Sequence, residues 1–201
     1  LALLSLPVPS EARTIGFLGR LEARKGVVEL ARAIPRILKQ APHLRFRFLG
    51  PSWPYRRGDM ESWISQHCRT VLDRITFVGA VARDQLSEQL AQCDALLLPS
   101  RWENFPFACW ESLASGRAVI GSSAGGMADV IQHGVSGLLV PPHSPGAIAA
   151  AVLSLVENPQ WVGQLGTAGR QRVLEHLAPQ RILPLQLASY ERAIARARLR
   201  R

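Results

Sequence analysis

Arg20 and Lys25 stand five residues apart in GRLEARKG, between the strand-length apolar run Thr14 to Gly19 and a stretch of helical period. Two cations there, together with the free N–H groups of a helix N-terminus, can converge on one anion, and a diphosphate fits that description. The same spacing also describes two surface cations on a turn. Glu103 and Glu111 lie eight apart in RWENFPFACWESLASG, one in a loop and one a turn into the following helix, so both can look into one crevice from different heights. Two acids could then hold separate jobs; the alternative is an exposed loop acid plus a carboxylate favoured by the helix macrodipole. A glycosidase also needs two acids, but they must flank one bond at different pKa values, which spacing does not establish.

No metal is expected. The sequence has no D-x-D, no H-x-x-x-H and no paired cysteines, and His43, His67, His133, His143 and His176 are scattered and read as solvent-facing. If a pyrophosphate leaves here, Arg20, Lys25 and helix dipoles take its developing charge in place of Mg²⁺. Neither G-x-G-x-x-G nor a P-loop occurs, which argues against a standard dinucleotide or NTPase cradle.

The elements that must position these residues alternate along the chain. Strands are expected at Thr14 to Gly19, Leu44 to Gly50, Ile75 to Gly79, Asp94 to Ser100, Arg117 to Ser122 and Ser136 to Val140. Between them, helical period places Val27, Leu30, Ile34, Ile37 and Leu38 on one face, with Pro35 expected to kink or split that helix. Further helices are expected at Asp59 to Leu72, at Arg83 to Cys93, from Pro106 to a stop at Gly116, at Ala147 to Glu157 and at Pro159 to Leu177, before a tail helix interrupted at Pro184. The fold class is therefore α/β, a Rossmann-like, doubly wound parallel sheet of about six strands with C-terminal helices. Ligands belong beyond the carboxyl ends of its strands, where Arg20 to Lys25, Trp102 to Phe107 and Gly121 to Gly126 form loops.

Composition sets the outer bounds. The 201 residues are 47% apolar and 19% charged, which excludes collagen-like, disordered and disulfide-scaffold classes, and no apolar run approaches the ~20 residues of a membrane span. Cys68, Cys93 and Cys109 are an odd, widely spaced set, expected to be buried thiols in a reducing, cytoplasmic setting. The formal charge of +9 is uneven: residues 13–57 carry eleven basic against two acidic side chains, and residues 180–201 carry six arginines against Glu191. Arg32, Arg36 and Lys39 fall at helical spacing on a solvated face, and the tail's only aromatic is Tyr190, so no nucleic-acid partner is expected. Leu1 to Ser10 is apolar without a basic n-region or an A-x-A exit and reads as part of a longer chain.

GRLEARKG, LLLPSRWENFPFACWESLASGRAVIGSSAGGMADVI and GVSGLLVPP, in that order over about residues 13–178, resemble the carboxy-terminal, donor-binding half of retaining GT-B glycosyltransferases, family 4, also called group 1. The resemblance implies one half of a GT-B fold: a residual linker at 1–12, a nucleotide-sugar domain at 13–178 and an Arg-rich helix at 179–201. It implies that Arg20 and Lys25 hold the donor diphosphate, that Glu103 lies by the donor sugar and that Glu111 holds the ribose. It further implies that backbone amides of Asn104, Phe105, Pro106 and Phe107 meet sugar and phosphate, that Gly125 and Gly126 turn near the sugar, and that Gly79 to Val81 line the base. The donor is then a nucleotide-diphosphate sugar, the anomeric configuration is retained and no metal serves the chemistry.

Three positions depart from the family pattern. Pro106 stands where many members have Gly and removes one amide donor; Asp129 replaces a Glu and has shorter reach; His143 and Ser144 replace Gly-Asp, with Ser144 expected to cap the next helix. The acceptor-binding half is absent, so the chain is expected to bind donor without turning over, the glycan or glycolipid acceptor being met through that missing amino-terminal domain. Two other readings remain: a nucleotide-sugar epimerase of the same fold, and a non-catalytic nucleotide-binding or membrane-docking module. In the latter, Arg192, Arg196, Arg198, Arg200 and Arg201 meet anionic lipid in peripheral contact at the inner membrane face; the favoured expectation leaves them solvated.

Overall fold

Six short apolar runs become one parallel sheet in the computed structural model, which describes residues 2–176 and 179–198. In chain order the elements are β1 (Thr14–Leu18), α1 (Val27–Gln40), β2 (Arg45–Leu49), a hairpin of β3 (Pro54–Tyr55) and β4 (Gly58–Asp59), α2 (Met60–His67), β5 (Ile75–Gly79) and α3 (Leu86–Ala91). There follow β6 (Ala95–Leu98), α4 (Phe107–Ala114), β7 (Ala118–Ser122), α5 (Met127–Val130), β8 (Leu138–Val140), α6 (Pro145–Glu157), α7 (Pro159–His176) and α8 (Pro179–Arg198). The sheet order is β5-β2-β1-β6-β7-β8, with every neighbouring pair parallel. Strand order therefore reverses between β1 and β6, and a crevice opens beyond their carboxyl ends. The loops that leave these two strands carry Arg20, Lys25 and Glu103.

Every residue of β6 and β7 is buried, as strands covered on both faces must be. Helices α1 and α6 pack on one side, sharing a core with Phe17, Phe46, Phe48, Leu97 and Ile120. On the other side α4 and its neighbours cover Leu96, Leu98 and Val119. The three cysteines are buried and free, and burial pushes the Cys68 and Cys93 thiols up to about 11 and that of Cys109 higher still.

Several expected boundaries change. Pro35 does not split its helix, since α1 is one element from Val27 to Gln40. Proline removes the N–H that would bond the carbonyl four residues back, at Ala31. The Cys68 thiol donates to that same carbonyl at 3.3 Å, so the buried acceptor is not orphaned. The helix expected over Asp59 to Leu72 is shorter because Asp59 is its cap: its carboxylate accepts from the Ser62 amide, α2 ends at His67, and a kinked 3₁₀ segment runs from Arg69 to Arg74. Only Leu86–Ala91 is helical within the expected 83–93 span, and Pro106 precedes α4 instead of opening it. The β3–β4 hairpin was not expected at all; strands of two residues leave no periodicity to read.

Pro184 lies inside α8 without interrupting it, at the cost of one i to i−4 bond. Leu183, Leu187, Tyr190 and Ile194 of that helix are exposed. Residue 178, the expected domain end, lies outside the described residues, as do Arg200 and Arg201 and the side chain of Arg198. Among the described residues no helix is long and apolar enough to cross a membrane.

The Cys68 bond makes a test. Cys68→Ala should cost about 1–3 kcal/mol in chemical denaturation, and less in a Pro35→Ala background, where a restored amide takes the Ala31 carbonyl. An equal cost in both backgrounds would show that the thiol does not compensate the proline.

Candidate functional site

The Glu103 carboxylate sits at the strand-order reversal, and the residue is only 8% exposed. A buried charge is costly unless it is paired and hydrogen-bonded. Here Oε1 takes a close bond from the Lys25 ammonium, a hydroxyl bond from Ser100 at 3.2 Å and the Arg24 guanidinium at 3.4 Å. Arg24 reaches the Trp102 carbonyl at 3.4 Å as well, and the Arg101 amide donates to the Arg24 carbonyl at 2.8 Å. The loop after β1 is thus stitched to the loop after β6. Lys25, Ser100, Glu103, Phe105, Pro106 and Met127 line a cavity of about 140 Å³ there.

The third loop holds the backbone of Glu103 and Asn104. Gly125 has φ of 65°, and a Cβ built on it would lie 2.2 Å from the Glu103 carbonyl oxygen. A Cβ on Gly126 would meet the Asn104 carbonyl at 2.1 Å, and the Gly126 amide donates to the Glu103 carbonyl at 2.8 Å. Glycine is required at both positions because backbone approaches backbone. In the turn itself Pro106 has no N–H and the Phe107 amide donates to the Phe105 carbonyl at 3.0 Å. The amides of Asn104 and Phe105 have no protein partner among the described residues, so of the three N–H groups of the turn these two are unspent.

Arg20 and Glu111 line a second cavity of about 280 Å³ with Val81, Arg83 and Gly50, and Leu18 borders both cavities. The Arg20 guanidinium lies 5.0 Å from the Trp53 ring centroid and 3.3 Å from Glu22. Half-burial raises the pKa of the Glu111 carboxyl, partly offset by the positive charge of Arg83. Gly79 has φ of 77° with open space where a side chain would project, and its carbonyl accepts from the Gly50 amide at 2.8 Å.

The structure therefore brings together Arg20, Lys25, Glu103, Glu111, Val81 and the Asn104 to Phe107 turn, but not in the expected pairing. Arg20 and Lys25 do not converge directly: Lys25 is bonded to Glu103, and Arg20 is held over Trp53. Glu103 is no exposed loop acid. Gly125 and Gly126 position Glu103 through its backbone. Asp129 is exposed, and its carbonyl, not its carboxylate, receives Arg172 at 2.9 Å. Ser144 caps α6, accepting from the Ala147 amide at 3.2 Å, while His143 lies 3.4 Å from buried Glu29, which also pairs with Arg101 at 3.0 Å. Among the described residues no three His, Cys, Asp or Glu side chains gather at metal-binding reach.

Sequence reading missed Ser100, Arg24, Trp53 and Arg83 as site residues. Arg24 and Ser100 flank residues that were singled out, so proximity in sequence was the available signal. Trp53 and Arg83 come from other loops and gave none.

Comparison with known proteins shows the family and the fold. The sequence profile described as "Glycosyl transferases group 1" matches residues 12–158. An uncharacterized glycosyltransferase of Methanocaldococcus jannaschii, MJ1607, is 33% identical over 150 residues, covering 74% of this chain and 37% of that protein. The sucrose-phosphate synthase structure from Thermosynechococcus elongatus is 28% identical with a TM-score of 0.79, covering 98% of this chain and 49% of that one. Anabaena HepE in complex with UDP-glucose shares the fold at 20% identity and a TM-score of 0.79, over 90% of this chain and 49% of that one. The chain thus spans between a third and a half of the length of each of these three proteins.

Gly125→Ala should destabilise the protein by about 1–3 kcal/mol, from the disfavoured φ and the displaced Glu103 carbonyl. Thermal denaturation checks this. A wild-type melting temperature would show that the two loops do not bear on one another.

Proposed function

This chain belongs to the group 1 glycosyl transferases, and we propose that it is the donor-binding half of a retaining family 4 enzyme. That enzyme moves a sugar from a nucleotide-diphosphate sugar to a growing glycan or glycolipid. The observation that carries the reading is the gathering of Lys25, Glu103, Arg20 and Glu111 around two adjoining cavities at the strand-order reversal. A nucleotide sugar has three parts, and the rim offers a matching region for each: apolar Val81 for the base, cations and free amides for the diphosphate, and the Glu103 turn for the sugar. HepE, which shares the fold, is in complex with UDP-glucose, and this supports such a donor.

The residues would act as follows. An entering diphosphate carries charge that the Glu103 carboxylate would repel, and the bound Lys25 ammonium cancels that repulsion. Lys25, Arg20 and the Asn104 and Phe105 amides then take the charge that develops as the diphosphate departs. Glu103, clamped by Ser100 and Gly126, orients the sugar so that the acceptor attacks from the face the diphosphate leaves. Glu111 accepts from the ribose hydroxyls; because its pKa is raised in the folded state, its ionised form costs stability as pH rises, and those hydrogen bonds offset the cost. These groups would serve the chemistry without a divalent ion.

The acceptor would be bound by a second domain, and the exposed aromatics Trp102, Phe105 and Phe107 beside Glu103 suit a face that another domain covers. The setting proposed is cytoplasmic polysaccharide assembly. The chain alone would bind donor and not transfer it.

Calorimetry with nucleoside diphosphates in a chelating buffer tests the cations. Arg20→Ala and Lys25→Ala should each weaken binding about tenfold or more, as loss of a charge-assisted hydrogen bond worth ~1.5–3 kcal/mol requires; unchanged affinity in both would end the diphosphate assignment. Glu111→Gln should weaken binding of the nucleoside diphosphate and leave that of inorganic pyrophosphate unchanged. An equal loss for both would remove its ribose role.

A further inference from the structure

Between β2 and α2 lies a feature that donor binding does not use. The β3–β4 hairpin turns on Arg56 and Arg57, with Tyr55 paired to Gly58. Arg56 has φ of 54°, the left-handed region, at a turn position that Gly, Asn or Asp ordinarily fills. Its guanidinium lies 5.5 Å from the Tyr55 ring centroid and 5.9 Å from that of Trp63. Tyr55 meets Trp63 edge-on at 5.4 Å, and His67 stacks on Trp63 at 5.0 Å, so the aromatic wall is braced from behind. Tyr55, Arg56, Arg57, Trp63 and Gln66 line a cavity of about 530 Å³.

The charges in this cavity are not balanced. Its one carboxylate, Asp59, is committed to α2, accepting from the Ser62 amide at 2.8 Å and the Ser52 hydroxyl at 3.2 Å. Among the described residues neither Arg56 nor Arg57 pairs with an Asp or Glu. Two adjacent guanidiniums offer planar forks of N–H donors, the geometry that matches phosphate oxygens, and the rings and Gln66 suit the carbon skeleton and hydroxyls of a sugar. The root of the hairpin is tied to the candidate active site: the Trp53 amide donates to the Leu21 carbonyl at 3.1 Å, and the Trp53 ring carries Arg20.

We propose that this hairpin is a second anion site, which takes a phosphate ester on a sugar or other polyol ring. The site goes beyond the donor reading above and does not rest on it. The phosphate ester comes either from a soluble sugar phosphate or from a lipid headgroup.

The 201-residue chain is titrated with glucose 6-phosphate, with glucose, and separately with UDP, ADP and GDP. Glucose 6-phosphate should bind and glucose should not. Arg56→Gly and Arg57→Ala should each weaken glucose 6-phosphate tenfold or more while leaving nucleoside-diphosphate affinity unchanged. Glycine suits the backbone at position 56, so the melting temperature of Arg56→Gly should hold or rise, separating lost binding from lost folding. Flotation with phosphatidylcholine vesicles, with and without phosphatidylinositol 4-phosphate, identifies the source. Binding to the phosphoinositide vesicles alone, lost in Arg56→Gly, would assign the phosphate to a lipid headgroup. The proposal is overturned if neither probe binds, if the variants bind as wild type, or if a nucleoside diphosphate displaces glucose 6-phosphate. A failure of nucleoside diphosphates to bind, with glucose 6-phosphate bound, would sink the donor reading and leave the hairpin site standing.

Discussion

The burial of the Glu103 carboxylate is the constraint around which the crevice is organised. Such a group must be compensated where it sits: Lys25 and Arg24 after β1 and Ser100 in its own loop meet the carboxylate, while the glycine turn after β7 holds the Glu103 backbone. Ser100 is three residues from Glu103 in the same loop, but Lys25, Arg24 and the glycine turn are not near it by local folding. Their meeting depends on β1, β6 and β7 being parallel neighbours, so that all their carboxyl ends open on one rim. Fold and site are in this sense one arrangement, since a sheet with another strand order would leave the carboxylate uncompensated.

The compensation also orients the groups that the proposed chemistry would use. An ammonium already held against a buried carboxylate is oriented before a ligand arrives, and little reorganisation is then required to meet a phosphate. Arg20 is oriented by other means, through the Trp53 ring and Glu22, and remains exposed at the mouth. The two cations thus differ in setting: one is an inner charge paired to a buried carboxylate and the other an outer, half-exposed one. Glu111 is a contrasting case, since half-burial without a close ion pair raises its pKa, which suits an acid that waits for hydroxyl partners.

The sheet was legible in the sequence because its strands are short runs spaced by helical stretches, the central ones being unbroken apolar runs buried on both faces, as in Ala95–Leu98. The glycines were legible as a turn but not as a brace, because only coordinates show Gly125 lying against the Glu103 carbonyl. Arg20 and Lys25 were correctly placed on one loop, yet their partners lie 78 residues away for Lys25 and across another loop for Arg20, distances that spacing does not encode. Pro35 misled for a similar reason: the rule that proline breaks helices is local, and the thiol that accommodates it comes from Cys68, 37 residues beyond the Ala31 carbonyl, at the end of α2. The hairpin escaped notice because its strands are two residues long and its left-handed residue is an arginine.

A crystal structure of the chain with a nucleoside diphosphate, grown in EDTA, examines the central claim most directly. The account predicts diphosphate oxygens within hydrogen-bonding distance of Arg20 and Lys25, with the Lys25 ammonium bridging Glu103 and the ligand and the ribose beside Glu111. A diphosphate bound away from this rim, or one that enters only with a divalent ion between it and the protein, would contradict it.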